Sequence, residues 1–291
     1  MKTKFFTKTA PVCSVVTPLF NRTDIFIDWY LNLVAKLSVP CELIFVLDES
    51  EDGTEELVVN FVDEIDEPPN PHVSAIKIVN PGNALFETRA DNLGFKAATG
   101  EWVIELQSDI FPLTNGFDHL LIKVLESYEE IFCVSGRTGH AYGDVYQRKG
   151  VIDELYQRRQ RIGLYSRKIL EGPEVEEGDG FYFVETVNRG PICYRRSDLI
   201  HYDYLDESSF FLGNDDHDLN LRAYLDSGRV CAYRPLRLFS PLELGSTRIQ
   251  RSAKSAAAFQ VFKDQVNPGA STLQRFKYFY KPFLKTQYSS I

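Results

Sequence analysis

Three polar clusters in this sequence have residue types suited to a charged, hydroxyl-bearing ligand. The mostly apolar run Val103–Leu106 leads into Gln107-Ser108-Asp109, the apolar run ELIFVL leads into Asp48-Glu49-Ser50, and "FLGNDDHDLNLRAYLDSG" places Asp215, Asp216 and Asp218 together. A carboxylate such as Asp109 can hold a hard divalent cation that clamps a diphosphate. Asp48 can accept a hydrogen bond from a nucleobase N–H or a ribose hydroxyl. A base can lie on Pro18 or Phe20 in the turn "TPLFNR". Asp215 or Asp216 could take a proton as a general base. Each cluster also has a structural explanation. Turns at strand ends attract Asp, Ser and Gly for their backbone chemistry, and acids at a helix start complement its dipole.

The elements that must position these groups follow from the patterning. Continuous apolar strands are expected at Pro11–Pro18, Glu42–Leu47, Val73–Val79 and Trp102–Leu106. Helical spacing lies between them, at Thr23 or Asp24 to Leu37, Thr54–Val62 and Leu85–Ala98, with Gly100 as a C-cap. This β-α alternation predicts a parallel sheet covered on both faces, and such sheets bind ligands at the carboxyl ends of their strands. Beyond Asp109, a helix is expected at Asn115–Tyr128 and a strand at Ile131–Ser135. An Arg-rich helical segment follows at Tyr142–Ile169. Strands are expected at Gly180–Val187, Gly190–Tyr194 and Arg229–Tyr233, with a helix at Asp216–Asp226 ended by Gly228.

The 291 residues, 44% of them hydrophobic, suffice for one large domain or one domain with a small appendage. The five cysteines form no CxxC pair, and most lie in apolar runs, so they read as small core residues rather than a disulfide framework or zinc site. No Ser/His or Cys/His arrangement suggests a covalent nucleophile. The opening MKTKFFTKTA is too short and polar for a signal peptide, and no apolar run approaches a membrane span of ~18 residues. A cytoplasmic protein is expected, with a peripheral position at a membrane as the alternative. The net charge of −9 is uneven: residues 245–291 carry +7 and residues 1–244 carry −16. A domain at 1–244 is therefore expected, with a basic aromatic extension at 245–291. In that extension "RFKYFYKPFLK" suits an anionic surface, nucleic acid, a partner subunit in a homo-oligomer, or a packing arm. The basic segment Gln147–Lys168 suits an anionic acceptor, the donor diphosphate, or simple solvation.

The order of the motifs resembles that of the inverting glycosyltransferases of family 2, which have the GT-A fold. "CSVVTPLFNRTDIF" is similar to that family's opening strand and turn, and "ELIFVLDESEDGTEE" to its EIIVVDDGSTDGT. "ETRADNLGFKAATGEWVIELQSDI" resembles ARNxGxxxAxGEYIxxLDxD. The segment from Arg189 to Tyr233 resembles GxxxxxRRxxxxxxGxFDExxxxxxEDxDLxxRxxxxG. The resemblance covers roughly Pro11 to Pro235.

It implies an α/β GT-A fold, a Rossmann-like, mostly parallel sheet flanked by helices, with 1–110 as a nucleotide-sugar-binding half and 111–244 as an acceptor and catalytic-base half. It also implies donor contacts at Pro18, Phe20, Asp48, Asp91, Asn92, Gln107 and Ser108. Asp109, the last residue of the family's DxD, would hold Mn2+ or Mg2+. Gln107 stands at the first DxD position, which should weaken the metal site without abolishing it, and Leu47 and Ile110 also replace family acids. Gly190, Arg195 and Arg196 fall on the sugar and acceptor side. Asp215-Asp216 falls on the Glu-Asp pair, which makes Asp216 the expected base and Asp215 the alternative.

The reaction implied is inverting transfer from a nucleoside-diphosphate sugar, a UDP-sugar by preference, to an acceptor hydroxyl. Saccharide or lipid-linked acceptors are the default, and modified nucleic acid is a further option raised by the basic segments. Two other classes stand beside it: a non-catalytic nucleotide-sugar-binding module, and a sugar-phosphate nucleotidyltransferase, whose Gly-rich opening signature this chain lacks.

Overall fold

The computed structural model describes residues 1–137, 139–140, 180–241, 253–277 and 287–290. The Arg-rich segment expected at Tyr142–Ile169 and most of "RFKYFYKPFLK" lie outside them.

The expected β-α alternation is present in the first half. Strand β2 (Cys13–Leu19) leads to α1 (Phe26–Lys36), β3 (Cys41–Leu47) to α2 (Thr54–Glu64), and β4 (Val73–Val79) to α3 (Phe86–Ala97) and β5 (Trp102–Glu105). The strands β2, β3, β4 and β5 run parallel in the order β4-β3-β2-β5. A short strand β1 (Lys2–Phe5) pairs antiparallel with the β4 edge; its alternating Lys residues concealed it in the sequence.

The second half extends the same sheet. It adds a two-residue β6 (Phe111–Pro112), α4 (Phe117–Ser127), β7 (Ile131–Ser135) and β8 (Gly139–His140). After Gly180 come β9 (Gly180–Val184), β10 (Thr186–Val187), β11 (Ile192–Arg195), α5 (Arg196–His201), α6 (Asp215–Ser227), β12 (Val230–Tyr233) and β13 (Leu238–Phe239). Strand β11 lies between β5 and β7 and runs antiparallel to both, so β5, β7 and β12 share one direction. With β14 (Gln287–Ser290) at the far edge, seven of the ten described strands of the main sheet point the same way.

Both faces are covered, which is why the parallel strands are apolar without alternation. Phe26, Trp29, Val58, Phe117 and Leu121 bring α1, α2 and α4 onto one face. Ala90, Phe95, Leu199, Leu219 and Ala223 bring α3, α5 and α6 onto the other. All five cysteines are buried free thiols. Among the described residues, no helix is long and apolar enough to cross a membrane.

Two local expectations are corrected. Neither Thr23 nor Asp24 caps α1, whose N-cap is Ile25; Thr23 instead donates to Asp52 and ties the turn after β2 to the turn after β3. Gly100 is not the C-cap of α3, which falls at Ala98. Its lack of a side chain admits the backbone of β2, since a Cβ there would sit 2.6 Å from the Cys13 carbonyl carbon. Gly228, by contrast, does end α6, in a left-handed conformation.

Residues 253–277 pack beside α3 and α6. Helix α7 (Ala253–Gln265) sets Phe259 and Phe262 edge-on to Phe86, at the start of α3. The N–H of Leu273, in the short helix Thr272–Lys277, donates to Asp218 at 2.7 Å.

Candidate functional site

Because β2, β3, β5 and β7 share a direction, their carboxyl ends open on one edge. Hydrogen bonds hold the loops there together. Asn21, in a left-handed conformation, accepts from the Glu51 N–H at 2.8 Å. The Arg22 N–H donates to Thr54 Oγ1 at 2.6 Å, and its Nε donates to Ser108 Oγ at 2.8 Å. Pro18 and Phe20 remain half-buried beside this junction. Asp48 Oδ1 accepts from the N–H groups of Leu85, at 2.5 Å, and Phe86, at 3.3 Å. Asp48 thereby holds the turn into α3, where Phe86 has a φ of 57°.

The strand end Gln107-Ser108-Asp109 is engaged residue by residue. Gln107 Nε2 donates to Glu87 at 2.9 Å, and its Oε1 accepts from Arg137 Nη1 at 2.9 Å. Ser108 Oγ is taken by Arg22. Burial pushes the Asp109 carboxyl above its ordinary value, and the charges of Arg22 and Arg137 oppose that shift. Gly190, at a φ of 76°, leaves room for this arrangement: a Cβ there would lie 2.9 Å from Ile110 Cδ1 and 3.1 Å from Gln107 Cγ.

Behind the edge, Arg189 gathers the acids. Its guanidinium is ion-paired to both Asp91 and Asp215 and lies 3.3 Å from Glu87. Burial alone would lower its pKa, but the carboxylates of Glu87, Asp91 and Asp216 outweigh burial and raise it. Asp215 is fully buried, and its Oδ2 also accepts from Thr88 Oγ1 at 2.5 Å. Asp216 accepts from the Arg189 N–H at 3.0 Å and the His217 N–H at 2.8 Å. Burial pushes the Asp216 carboxyl up, but the charges of His217 and Arg189 and these two N–H donors hold it below its ordinary value. Asp216 is therefore ionised at neutral pH, as a proton acceptor must be.

The structure does not bring every expected residue to the open edge. Asp91 is completely buried on α3 and serves Arg189. Asn92 is buried too: its Nδ2 donates to the Leu205 carbonyl and Glu207, and its Oδ1 accepts from the Leu205 N–H. Arg195 and Arg196 lie farther away. Arg195 pairs with Trp102, at the start of β5 and thus at the opposite end of the sheet from Gln107. There its guanidinium donates to the carbonyls of Leu125, Tyr128 and Ile131 and closes the end of α4. Arg196 begins α5 at the same end. Because β11 is antiparallel, its start faces the site and its end faces away.

Four residues outside the expected set matter: Arg22, Arg137, Arg189 and Glu105. Nothing in the spacing of the arginines marked them, since they meet only through the sheet order. Glu105 did leave a signal, as a carboxylate inside the apolar run WVIEL. It is buried, on the same sheet face as Val103, and neither of its carboxyl oxygens has a hydrogen-bond partner among the described residues. Burial raises its pKa to about 8; Arg189 opposes the shift, and Glu87 and Asp216 add to it. Unfolded, the carboxyl loses its proton near 4.5; folded, it keeps it to about 8. Glu105 therefore destabilises the fold progressively as pH rises from 4.5 to 8. Glu105→Gln should accordingly stabilise the protein by a few kcal/mol (order of magnitude) at pH 8. The gain should vanish near pH 4.5, as read from urea unfolding at the two pH values. A pH-independent difference would contradict it.

A divalent ion finds a restricted donor set here. Gln107 and Ser108 have their hydrogen bonds elsewhere, so Asp109 is the one carboxylate of the triplet. Among the described residues, no group of three His, Cys, Asp or Glu side chains is placed to hold a metal. Asp109 is the residue of the triplet that would hold such an ion.

The parallel core with polar carboxyl ends, extended by β11, β7 and β12, is the GT-A glycosyltransferase fold. The family model for glycosyl transferase family 2 matches residues 14–183, and the chain belongs to that family. No curated protein matches it in sequence. Among solved structures it is similar to S. aureus TarS 1-349 in complex with UDP, at 15% identity and a TM-score of 0.52, covering 79% of this chain and 60% of that one. It is also similar to GalNAc-T7 with UDP, GalNAc and Mn2+, at 11% identity and a TM-score of 0.59, covering 89% and 48%. A third is the mannosyltransferase PcManGT from Pyrobaculum calidifontis in complex with GDP-Man and Mn2+, at 14% identity and a TM-score of 0.54, covering 95% and 66%. The chain thus spans less than two thirds of each of these structures.

Proposed function

We propose that this chain transfers a sugar, with inversion, from a nucleoside-diphosphate sugar to an acceptor hydroxyl. The observation that carries this reading is the placement of Asp216, held by backbone N–H donors at the start of α6 and linked through Arg189 to the strand ends that hold Asp109. In this scheme the acceptor oxygen attacks the anomeric carbon as the bond to the diphosphate breaks on the opposite face. Asp216 takes the hydroxyl proton. Pro18 and Phe20 flank the nucleoside, and Asp48 orders the wall beside it. Asp109 is the residue that would hold Mn2+ or Mg2+, whose chemistry there is Lewis-acid stabilisation of the leaving phosphate. UDP is the favoured nucleotide, since two of the three structures named above hold it, and GDP the alternative. A saccharide is the favoured acceptor.

The binding-module reading is favoured by one observation, Gln107 in place of an acid. A thermal-shift panel of UDP- and GDP-sugars with Mn2+, followed by assay of the stabilising member for sugar release, separates the two. A bound ligand raises the melting temperature by mass action. A shift accompanied by slow sugar release supports the transferase. A shift without any turnover, even with saccharide acceptors present, supports the module. No shift with any member would sink both.

A further inference from the structure

We infer that Arg137, together with Arg22, supplies the positive charge that receives the donor's diphosphate, so that donor binding persists without a divalent ion. This rests on the nucleotide-sugar reading given above. A strand end with two carboxylates repels a diphosphate and needs a cation between them. Here the chemistry is reversed. The first position is the neutral Gln107, and a guanidinium lies on it: Arg137 Nη1 donates to Gln107 Oε1 at 2.9 Å and to the Arg189 carbonyl at 3.2 Å. The middle position, Ser108, is held by a second guanidinium, that of Arg22, at 2.8 Å. Each of the two residues before Asp109 therefore holds a guanidinium.

The placement follows from the fold. Arg137 lies just past the end of β7 and Gln107 just past the end of β5, and these strands are separated only by β11, whose approach is Gly190-Pro191. A side chain at position 190 would press on Gln107 and Ile110. Glycine there leaves Arg137 able to reach across. A guanidinium presents its donors in a planar fork that matches phosphate oxygens, and it keeps its charge when buried. Arg137, half-buried, and Arg22, buried behind Ser108, thus set two preorganised guanidinium charges along the rim where nucleotides bind in sheets of this kind.

Isothermal titration with UDP, GDP and inorganic pyrophosphate, in EDTA and in Mn2+, tests the inference. Wild type should bind UDP or GDP in EDTA. Arg137→Gln should weaken that binding by about 10- to 100-fold, the equivalent of a charged hydrogen bond, while Arg137→Lys, which keeps the charge, should recover part of it. Binding seen only with Mn2+ would overturn the inference and leave the nucleotide-sugar reading intact. Unchanged EDTA binding by a folded Arg137→Gln would overturn it as well. No binding of any probe in either buffer would overturn both. If Arg137→Gln does not fold, the salt dependence of wild-type binding in EDTA decides. A steep fall between low and high ionic strength supports a cationic rim, and a flat response removes it.

Discussion

Asp216→Asn is expected to lower turnover by about 10²- to 10⁴-fold, the usual contribution of a positioned base, while the affinity for the nucleotide donor is largely retained. The substitution preserves shape and removes only the ability to take a proton. It is not structurally silent, because both Asp216 oxygens accept backbone N–H bonds, from Arg189 and His217. An amide offers one acceptor oxygen, so one N–H is left facing an NH₂ group, at a cost of about 1–3 kcal/mol in stability. Turnover, donor affinity and unfolding should therefore be measured together. A large loss of turnover in a folded variant that still binds donor supports Asp216 as the base. Near-normal turnover would remove it from that role, and Asp215 offers a poor substitute because it is fully buried and ion-paired to Arg189. Asp216 is held below its ordinary value of 3.8. The acid limb of the wild-type rate profile should accordingly fall below the usual carboxylate range.

Arg189→Leu is expected to have the largest effect on stability, a loss of about 3–5 kcal/mol at neutral pH, because it breaks a buried ion network from one side. The cost is mainly that of the acids left behind. Asp91 and Asp215 lose their partner in a region without solvent, and Glu87 and Asp216 lose a nearby cation. The deficit should shrink as pH falls, since protonation relieves carboxylates that have no counter-charge. Urea unfolding of both proteins at pH 7.5 and pH 5 reads this directly. A deficit below about 1 kcal/mol at pH 7.5 would show that Arg189 is not holding the acids, because surface-like pairs fall in that range.

The strand and helix order up to Glu105 was legible because parallel strands buried on both faces must be continuously apolar, and the helices between them must be amphipathic. Strand β4 falls at the expected residues, Val73–Val79, and β2, β3 and β5 fall within one or two residues of expectation. Helix ends were less legible where a side chain had a competing partner. Thr23 is a good cap by type, yet Asp52 holds it. Gly100 looks like a helix stop, yet its role is the close approach of β2. The basic extension gave no sign of where it would rest; Phe259 and Phe262 pack beside the start of α3, a contact that depends on tertiary placement.

The sequence by itself determined the family, the sheet core and the candidate positions Asp48, Asp109 and Asp216, because local patterning and motif order are properties of neighbouring residues. Only the tertiary structure decided which charged groups meet. The antiparallel β11 sends Arg189 into the acid cluster and Arg195 to the far end, although six positions separate them. Glu87, Asp91, Arg137, Arg189 and Asp215 are brought together from α3, β7, β11 and α6 or the loops beside them. Charge acts through space rather than along the chain. A strand end with a neutral Gln107 reads in sequence as a weakened metal site; in the fold Gln107 and Ser108 each hold a guanidinium, and both charges act on Asp109.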